Sequence, residues 1–100
     1  MSAYLIFHNR IDDHAKLAAY VDKAVPTLMA HGAEVVCLDE TSTEVEGPNP
    51  YPRTVILRFP SREAAMGWYN SPEYQAVLHM RLEATEGFAV ICDEFVMPSA

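Results

Sequence analysis

The sequence predicts an α+β fold in which helices cover one face of an antiparallel sheet. Four short segments are rich in branched and aromatic residues, as strands are. Longer segments between them repeat apolar residues at helical spacing. The chain has 100 residues, half of them hydrophobic, so we expect a single domain over residues 1–100 with one core.

The first part of the chain is predicted to form a strand, a helix and a second strand. Residues 3–9 are apolar and aromatic and form the first strand. Asp12 or Asp13 caps the helix, because a carboxylate accepts hydrogen bonds from the free N–H groups of a first turn. Gly32 ends the helix in the left-handed conformation, and the second strand lies within residues 33–43. The apolar stripe of this helix consists of Leu17, Val21, Ala24, Val25 and Leu28.

A proline-rich loop separates the second strand from the third. Residues 46–52 contain three prolines, which exclude both a helix and a central strand. Residues 53–59 then form the third strand. Ser61 caps a short helix that extends to about Asn70.

The last part of the chain is predicted to form another helix and the final strand. Ser71 is the N-cap, and Pro72 occupies the first helical position, where its missing N–H has no consequence. The helix extends to about Thr85, Gly87 ends it, and residues 88–95 form the last strand. The resulting βαββαβ order is the ferredoxin-like arrangement.

Composition and charge exclude several classes of function. The net charge is −7, and the seven basic residues are scattered, so we expect neither nucleic-acid nor membrane partners. The N-terminus lacks the basic and apolar regions of a signal peptide, which predicts a cytoplasmic protein. The four histidines have no metal-ligand spacing, and four glycines make no phosphate-binding loop. We therefore expect no metal and no cofactor.

The strands carry apolar residues on both faces of the predicted sheet. Residues 5–7, 55–57 and 89–92 are continuous apolar runs instead of alternating ones. Two helical segments cover only one face of the sheet. If the second face were exposed to solvent, it would form an unusually large apolar patch. We therefore predict a homodimer in which two sheets pack face to face.

The cysteines are predicted to be free thiols. In a sheet of order 4-1-3-2, the usual order for this topology, Cys37 and Cys92 lie on opposite edge strands. That separation excludes an intramolecular disulfide.

Tyr74 and Arg81 align on the face of the last helix that should meet the sheet. A buried arginine does not lose its charge, so it needs a partner. Either Arg81 binds the carboxylate of a small ligand with both of its nitrogens, or it has a structural role. In the structural role, Arg81 forms an ion pair with Glu46 or another acid, or its side chain extends to water.

The aromatic residues Trp68, Tyr69 and Tyr74 are either walls of a pocket or members of the core. Together with Arg81 and Arg53 they form the candidate ligand-binding set. The pocket is expected between the sheet and the helices.

Two residues are weaker candidates for catalysis. Glu46 acts as a general base if burial raises its pKa, or it is a solvated loop acid that pairs with an arginine. His8, on the first strand, either faces the pocket or is a hydrogen-bonded histidine of the sheet.

One block of the sequence resembles a known family. Trp-Tyr-Asn-Ser-Pro-Glu-Tyr at residues 68–74, followed by Arg81, is similar to domain-of-unknown-function family 1330. The resemblance extends over about residues 3–95 and includes Glu46-Gly47 and Phe59-Pro60-Ser61. It implies a member of the dimeric α/β-barrel superfamily, whose relatives include cofactor-free monooxygenases and haem-degrading enzymes. The family itself has no settled reaction.

Three functions remain open from the sequence. The first is an enzyme or binding protein for a small organic metabolite, such as an acidic or aromatic one. The second is a non-catalytic dimerisation module. The third is a haem-degrading or cofactor-free monooxygenase, because Asn9, Trp68 and His79 resemble the Asn/Trp/His set of haem-degrading barrels.

Overall fold

The computed structural model describes residues 1–98 and has the predicted antiparallel sheet with helices on one face. In chain order the elements are β1 (Ala3–Ile11), α1 (His14–Ala30), β2 (Glu34–Asp39), β3 (Arg53–Phe59), α2 (Arg62–Tyr69), α3 (Pro72–Ala84) and β4 (Thr85–Asp93). The sheet order is β2-β3-β1-β4, which confirms the prediction. Cys37 and Cys92 are free thiols on the two edge strands.

The helix caps follow from the sequence. Asp13, Ser61 and Ser71 each accept a hydrogen bond from the backbone N–H three residues further along, which satisfies a donor of the first turn. Of the two aspartates considered, Asp13 is therefore the cap of α1. Gly32 has a φ of 72°, the left-handed conformation expected after the end of this helix.

The junction between α3 and β4 differs from the prediction. The helix ends at Ala84, and β4 begins at Thr85 without a loop, so Gly87 lies inside the strand and does not end the helix. Gly87 pairs with Asn9 of β1, and a Cβ atom there would lie 2.0 Å from the carbonyl oxygen of His8. The glycine is needed for the close approach of two strands, which its position in the sequence does not reveal.

Alternate residues of β1 and β3 point towards the helices and are buried. The register pairs Asn9 with Arg53 and Phe7 with Val55, so these four side chains belong to the helix-covered face. The core between this face and the helices includes Leu5, Leu17, Leu28, Leu57, Phe59, Ala65, Trp68 and Tyr74.

Among residues 1–98 of a single chain, no helix covers the opposite face of the sheet. This open face carries Ile6, Ile56, Phe88 and Val90, of which Phe88 is 52% exposed and Val90 is 45% exposed. The prediction that the strands are apolar on both faces is therefore confirmed. Within residues 1–98, no helix has both the length and the apolar character needed to cross a membrane.

Candidate functional site

A cleft opens between α1 and the part of the sheet formed by β2 and β3. It contains about 540 Å³ of space, including the part that is open to solvent. Valine, leucine and alanine side chains form most of its walls, together with the rings of Phe7 and Trp68. Among the described residues that line it, the polar ones are Tyr20, Arg53 and Arg81. The cleft is therefore an apolar cavity with two positive charges.

Arg81 reaches the cleft from α3 and is 8% exposed. Its guanidinium carbon lies 4.9 Å from the ring centroid of Phe7, and its Nε donates a hydrogen bond to the Tyr74 hydroxyl at 3.2 Å. Burial is the largest single effect and lowers the pKa of Arg81, but the hydroxyl groups of Tyr74, Tyr20 and Tyr69 outweigh it, so the pKa lies above its usual value. Among the residues that the structure describes, no carboxylate lies within ion-pair distance of this arginine.

Arg53 lies at the start of β3 and is 9% exposed. Its buried Nε has no hydrogen-bond partner among the described residues, and neither do the two amide atoms of its sheet neighbour Asn9. Burial lowers the pKa of Arg53, an effect that Glu40 partly opposes and the nearby charge of Arg81 reinforces. Arg53 also makes no ion pair with any carboxylate of residues 1–98.

The two arginines place uncompensated positive charge inside an acidic protein. Burying a cation without a partner is unfavourable, and an arginine does not escape the penalty by losing its proton. An anion that enters the cleft would give the two guanidinium groups the partner that the described residues do not supply. The arrangement is therefore suited to binding a negatively charged group.

Tyr20 is a residue of the cleft that was not among the candidates taken from the sequence. It lines the cleft from α1, and its hydroxyl oxygen lies 2.6 Å from that of Tyr74. Tyr20 lies between Leu17 and Ala24 at helical spacing, on the apolar side of α1. A hydroxyl-bearing side chain on the apolar side of α1 is the sequence feature that could have indicated Tyr20 as a site residue.

The aromatic residues of the family block have different surroundings. Trp68 forms part of the cleft wall, and its indole N–H donates to Thr27 Oγ1 at 2.9 Å. Tyr74 is fully buried behind Arg81 and does not line the cleft. Tyr69 lies outside the cleft, in a separate groove beside Met66 and β4.

The two weaker catalytic candidates both lie away from the cleft. His8 belongs to the open face, where its Nδ1 lies 3.2 Å from Thr54 Oγ1, so the expectation that it faces the pocket is wrong. The alternative, a hydrogen-bonded histidine of the sheet, describes its position. Glu46 is exposed in the loop before β3, and it forms no ion pair with Arg53 or Arg81.

The Asn/Trp/His set is not assembled in this structure. His79 is exposed on α3, two residues before the cleft-facing Arg81 and therefore about 200° around the helix from it. Trp68 and Asn9 are buried on the other side of that helix. The three residues therefore do not converge on one site in this structure. In the part of the chain that the structure describes, no three His, Cys, Asp or Glu side chains form a group that could hold a metal ion.

Comparison with known proteins identifies the family. The model of the domain-of-unknown-function family DUF1330 matches residues 2–95. The chain belongs to this family. The matched range includes the block at residues 68–74 and Arg81, on which the sequence resemblance rested. A search of the curated proteins found no match.

Solved structures share the fold of this DUF1330 chain at low sequence identity. A protein of unknown function from Rhodopseudomonas palustris has a TM-score of 0.79 at 16% identity, covering 96% of this chain and 84% of the other. HapK from Hahella chejuensis has a TM-score of 0.59 at 16% identity, covering 98% and 97%. SnoaB, a cofactor-independent oxygenase from Streptomyces nogalater, has a TM-score of 0.63 at 7% identity, covering 99% and 95%. These matches confirm the ferredoxin-like fold.

The unpaired charge predicts that Arg53 lowers the stability of the ligand-free protein. Arg53→Met removes a buried N–H without a partner and the repulsion from Arg81, and it keeps the apolar stem. We expect the free energy of unfolding to rise by about 1 kcal/mol, measured in urea at one protein concentration.

Two control variants allow the change in the free energy of unfolding of Arg53→Met to be interpreted. Arg62→Met, which changes an exposed arginine paired with Asp93, should alter stability by less than about 0.5 kcal/mol. Arg81→Met should be destabilising, because it removes the hydrogen bond to Tyr74 and the packing on Phe7. A loss of stability in Arg53→Met would mean that Arg53 has a structural partner and that its charge is compensated in the ligand-free protein.

Proposed function

We propose that this protein binds a small organic acid in the cleft between α1 and the sheet. The anionic group of the ligand lies at Arg53 and Arg81, and the apolar body of the ligand lies against the walls. The observation that carries the proposal is the pair of buried guanidinium groups without an acidic partner at the wall of an apolar cleft.

The cleft has the character of a small-molecule site. Such sites are mostly apolar and use a few polar groups to orient the ligand, as the lining of this cleft does. A carboxylate accepts hydrogen bonds from an arginine along two parallel directions, and each bond to a charged group contributes about 1.5–3 kcal/mol. The walls near Phe7 and Trp68 favour an aromatic or branched aliphatic body.

The groups that line the cleft favour binding over acid–base catalysis. Tyr20, Arg53 and Arg81 are hydrogen-bond donors, and burial raises the pKa of the Tyr20 hydroxyl far above its usual range. A general base is expected to have a pKa near the working pH, and none of the described lining residues is a carboxylate, a histidine or a cysteine. Whether the bound acid also reacts is a separate question from its recognition.

We also propose that the protein is a homodimer whose open faces pack together. Phe88 and Val90 are about half exposed in a single chain, and Ile6 and Ile56 lie beside them. A two-fold axis would bury this apolar surface against its own copy. The cleft lies on the other face of the sheet, so each protomer would keep a complete site.

A ligand panel tests the binding proposal. Phenylacetate and hexanoate should bind and raise Tm, whereas their uncharged isosteres phenylacetamide and hexanamide should bind at least about tenfold more weakly. Arg53→Met and Arg81→Met should each remove most of this preference for the acid, measured by calorimetry. Arg62→Met is the matched control and should bind as the wild type does.

The pH dependence of binding adds a further check. Both arginines stay charged and Tyr20 stays protonated, so the affinity for phenylacetate should be constant between about pH 6 and 9. It should fall only as the carboxyl group of the ligand itself takes up a proton. Equal binding of acids and amides, or no binding of either acid at millimolar concentration, would contradict the proposal and favour a dimerisation module without a ligand.

A charge on the open face tests the dimer. Val90→Lys places a cation in the predicted interface and should convert a dimer at micromolar concentration into a monomer, measured by sedimentation velocity. Val45→Lys, at a loop residue that is 89% exposed, is the matched control and should remain dimeric. A wild-type protein that sediments as a monomer would refute the face-to-face dimer.

A further inference from the structure

The hydroxyl groups of Tyr20 and Tyr74 share one hydrogen bond but hold two protons. Their oxygen atoms lie 2.6 Å apart, so one hydroxyl donates to the other. Among the described residues, neither oxygen has a further hydrogen-bond acceptor within reach. Whichever hydroxyl donates, the second proton has no acceptor in the described part of the chain. A buried O–H without an acceptor is unusual and needs an explanation.

Arg81 favours one of the two orientations of this pair. Its Nε donates to the Tyr74 oxygen at 3.2 Å. An oxygen that accepts a hydrogen bond from a cation becomes a stronger donor through its own O–H, because successive hydrogen bonds polarise one another. This contact favours the orientation in which Tyr74 donates to Tyr20, although Arg81 also interacts with the Tyr20 hydroxyl. In that orientation the proton of Tyr20 is the one left without an acceptor.

Only one of the two tyrosines reaches the cleft. Tyr74 is fully buried, whereas Tyr20 is 8% exposed and lines the cleft together with Arg53 and Arg81. The Tyr20 hydroxyl interacts electrostatically with both arginines, so its oxygen lies near the two positive charges. The unused proton thus belongs to a group at the same end of the cleft as the two charges.

We infer that the Tyr20 hydroxyl is a third donor to the bound anion, and that Arg81 orients it through Tyr74. This inference rests on the proposed binding of an organic acid and specifies which protein groups donate hydrogen bonds to its anionic group. The ligand must present oxygen atoms that accept from two arginines and one phenol, as a carboxylate does. An amide presents one acceptor oxygen and an NH₂ group, which would face donors instead of acceptors.

The buried surroundings of Tyr20 support this role. Burial raises the pKa of its hydroxyl above the usual range, so Tyr20 is a protonated donor at neutral pH, where a carboxylic acid ligand is ionised. Tyr74 does not line the cleft and acts on the ligand through Tyr20 and through Arg81, so it is a positioning residue.

Removing single hydroxyl groups tests the inference with phenylacetate and phenylacetamide as probes. Tyr20→Phe should weaken phenylacetate binding roughly tenfold, as expected for one hydrogen bond to a charged group, and should change phenylacetamide binding little. The preference for the acid should therefore fall by the same factor. Tyr51→Phe, which removes a hydroxyl near the open face, is the matched control and should bind both probes as the wild type does.

A double variant tests the chain of hydrogen bonds. Tyr74→Phe should also weaken phenylacetate binding, and the loss in Tyr20→Phe/Tyr74→Phe should be smaller than the product of the two single losses, because part of the effect of Tyr74 passes through Tyr20 and the rest through Arg81. Losses that multiply would show that Tyr74 does not act through Tyr20.

The outcomes separate this inference from the function on which it rests. If phenylacetate binds and depends on Arg53 and Arg81 but not on the Tyr20 hydroxyl, the inference is wrong and the proposed function stands. If Tyr20→Phe weakens both probes equally, the hydroxyl only supports packing, and the inference is again wrong. If the wild type binds no carboxylate, both are overturned.

Discussion

Two buried arginines without acidic partners are the feature around which this structure is organised. Arg53 and Arg81 come from β3 and α3, which are distant in sequence, and both line the same apolar cleft. Their charges persist at every physiological pH, and neither arginine forms an ion pair with a described carboxylate, although Glu40 partly offsets the burial of Arg53. Selection for stability alone would favour replacing Arg53. Their presence points to an occupant of the cleft.

The fold creates this site through register and helix packing. The pairing of Asn9 with Arg53 in the sheet places an arginine on the helix-covered face, although its chain neighbour Thr54 lies on the open face. Ser71 and Pro72 start α3 so that Tyr74 and Arg81, seven residues apart, point towards the same place. The family block is therefore both a helix start and a support for the charged group.

Much of this architecture could be predicted from the sequence because local rules apply to it. The caps at Asp13, Ser61 and Ser71 and the strand order follow from residue types and topology. The start of β4 could not, because Gly87 has its role only opposite Asn9 of another strand. Local sequence carries no information on such an approach between distant segments.

The site was predicted only in part, for a similar reason. The spacing of Tyr74 and Arg81 on one helix is visible in the sequence, so their alignment was expected. That Tyr20 of α1 meets Tyr74 depends on how two helices pack, and spacing within one helix does not determine it. His8 and Glu46 were weighed by their chemistry, but strand alternation and loop exposure place them elsewhere.

The most direct test of the central claim observes the arginine side chains themselves. In ¹⁵N-labelled protein, the Nε–H resonances of the five arginines can be followed while phenylacetate is added. The resonances of Arg53 and Arg81 should shift together and saturate, while those of the exposed Arg10, Arg58 and Arg62 remain in place. Shifts confined to the exposed arginines, or equal shifts in all five, would show that the buried charges do not bind the anion.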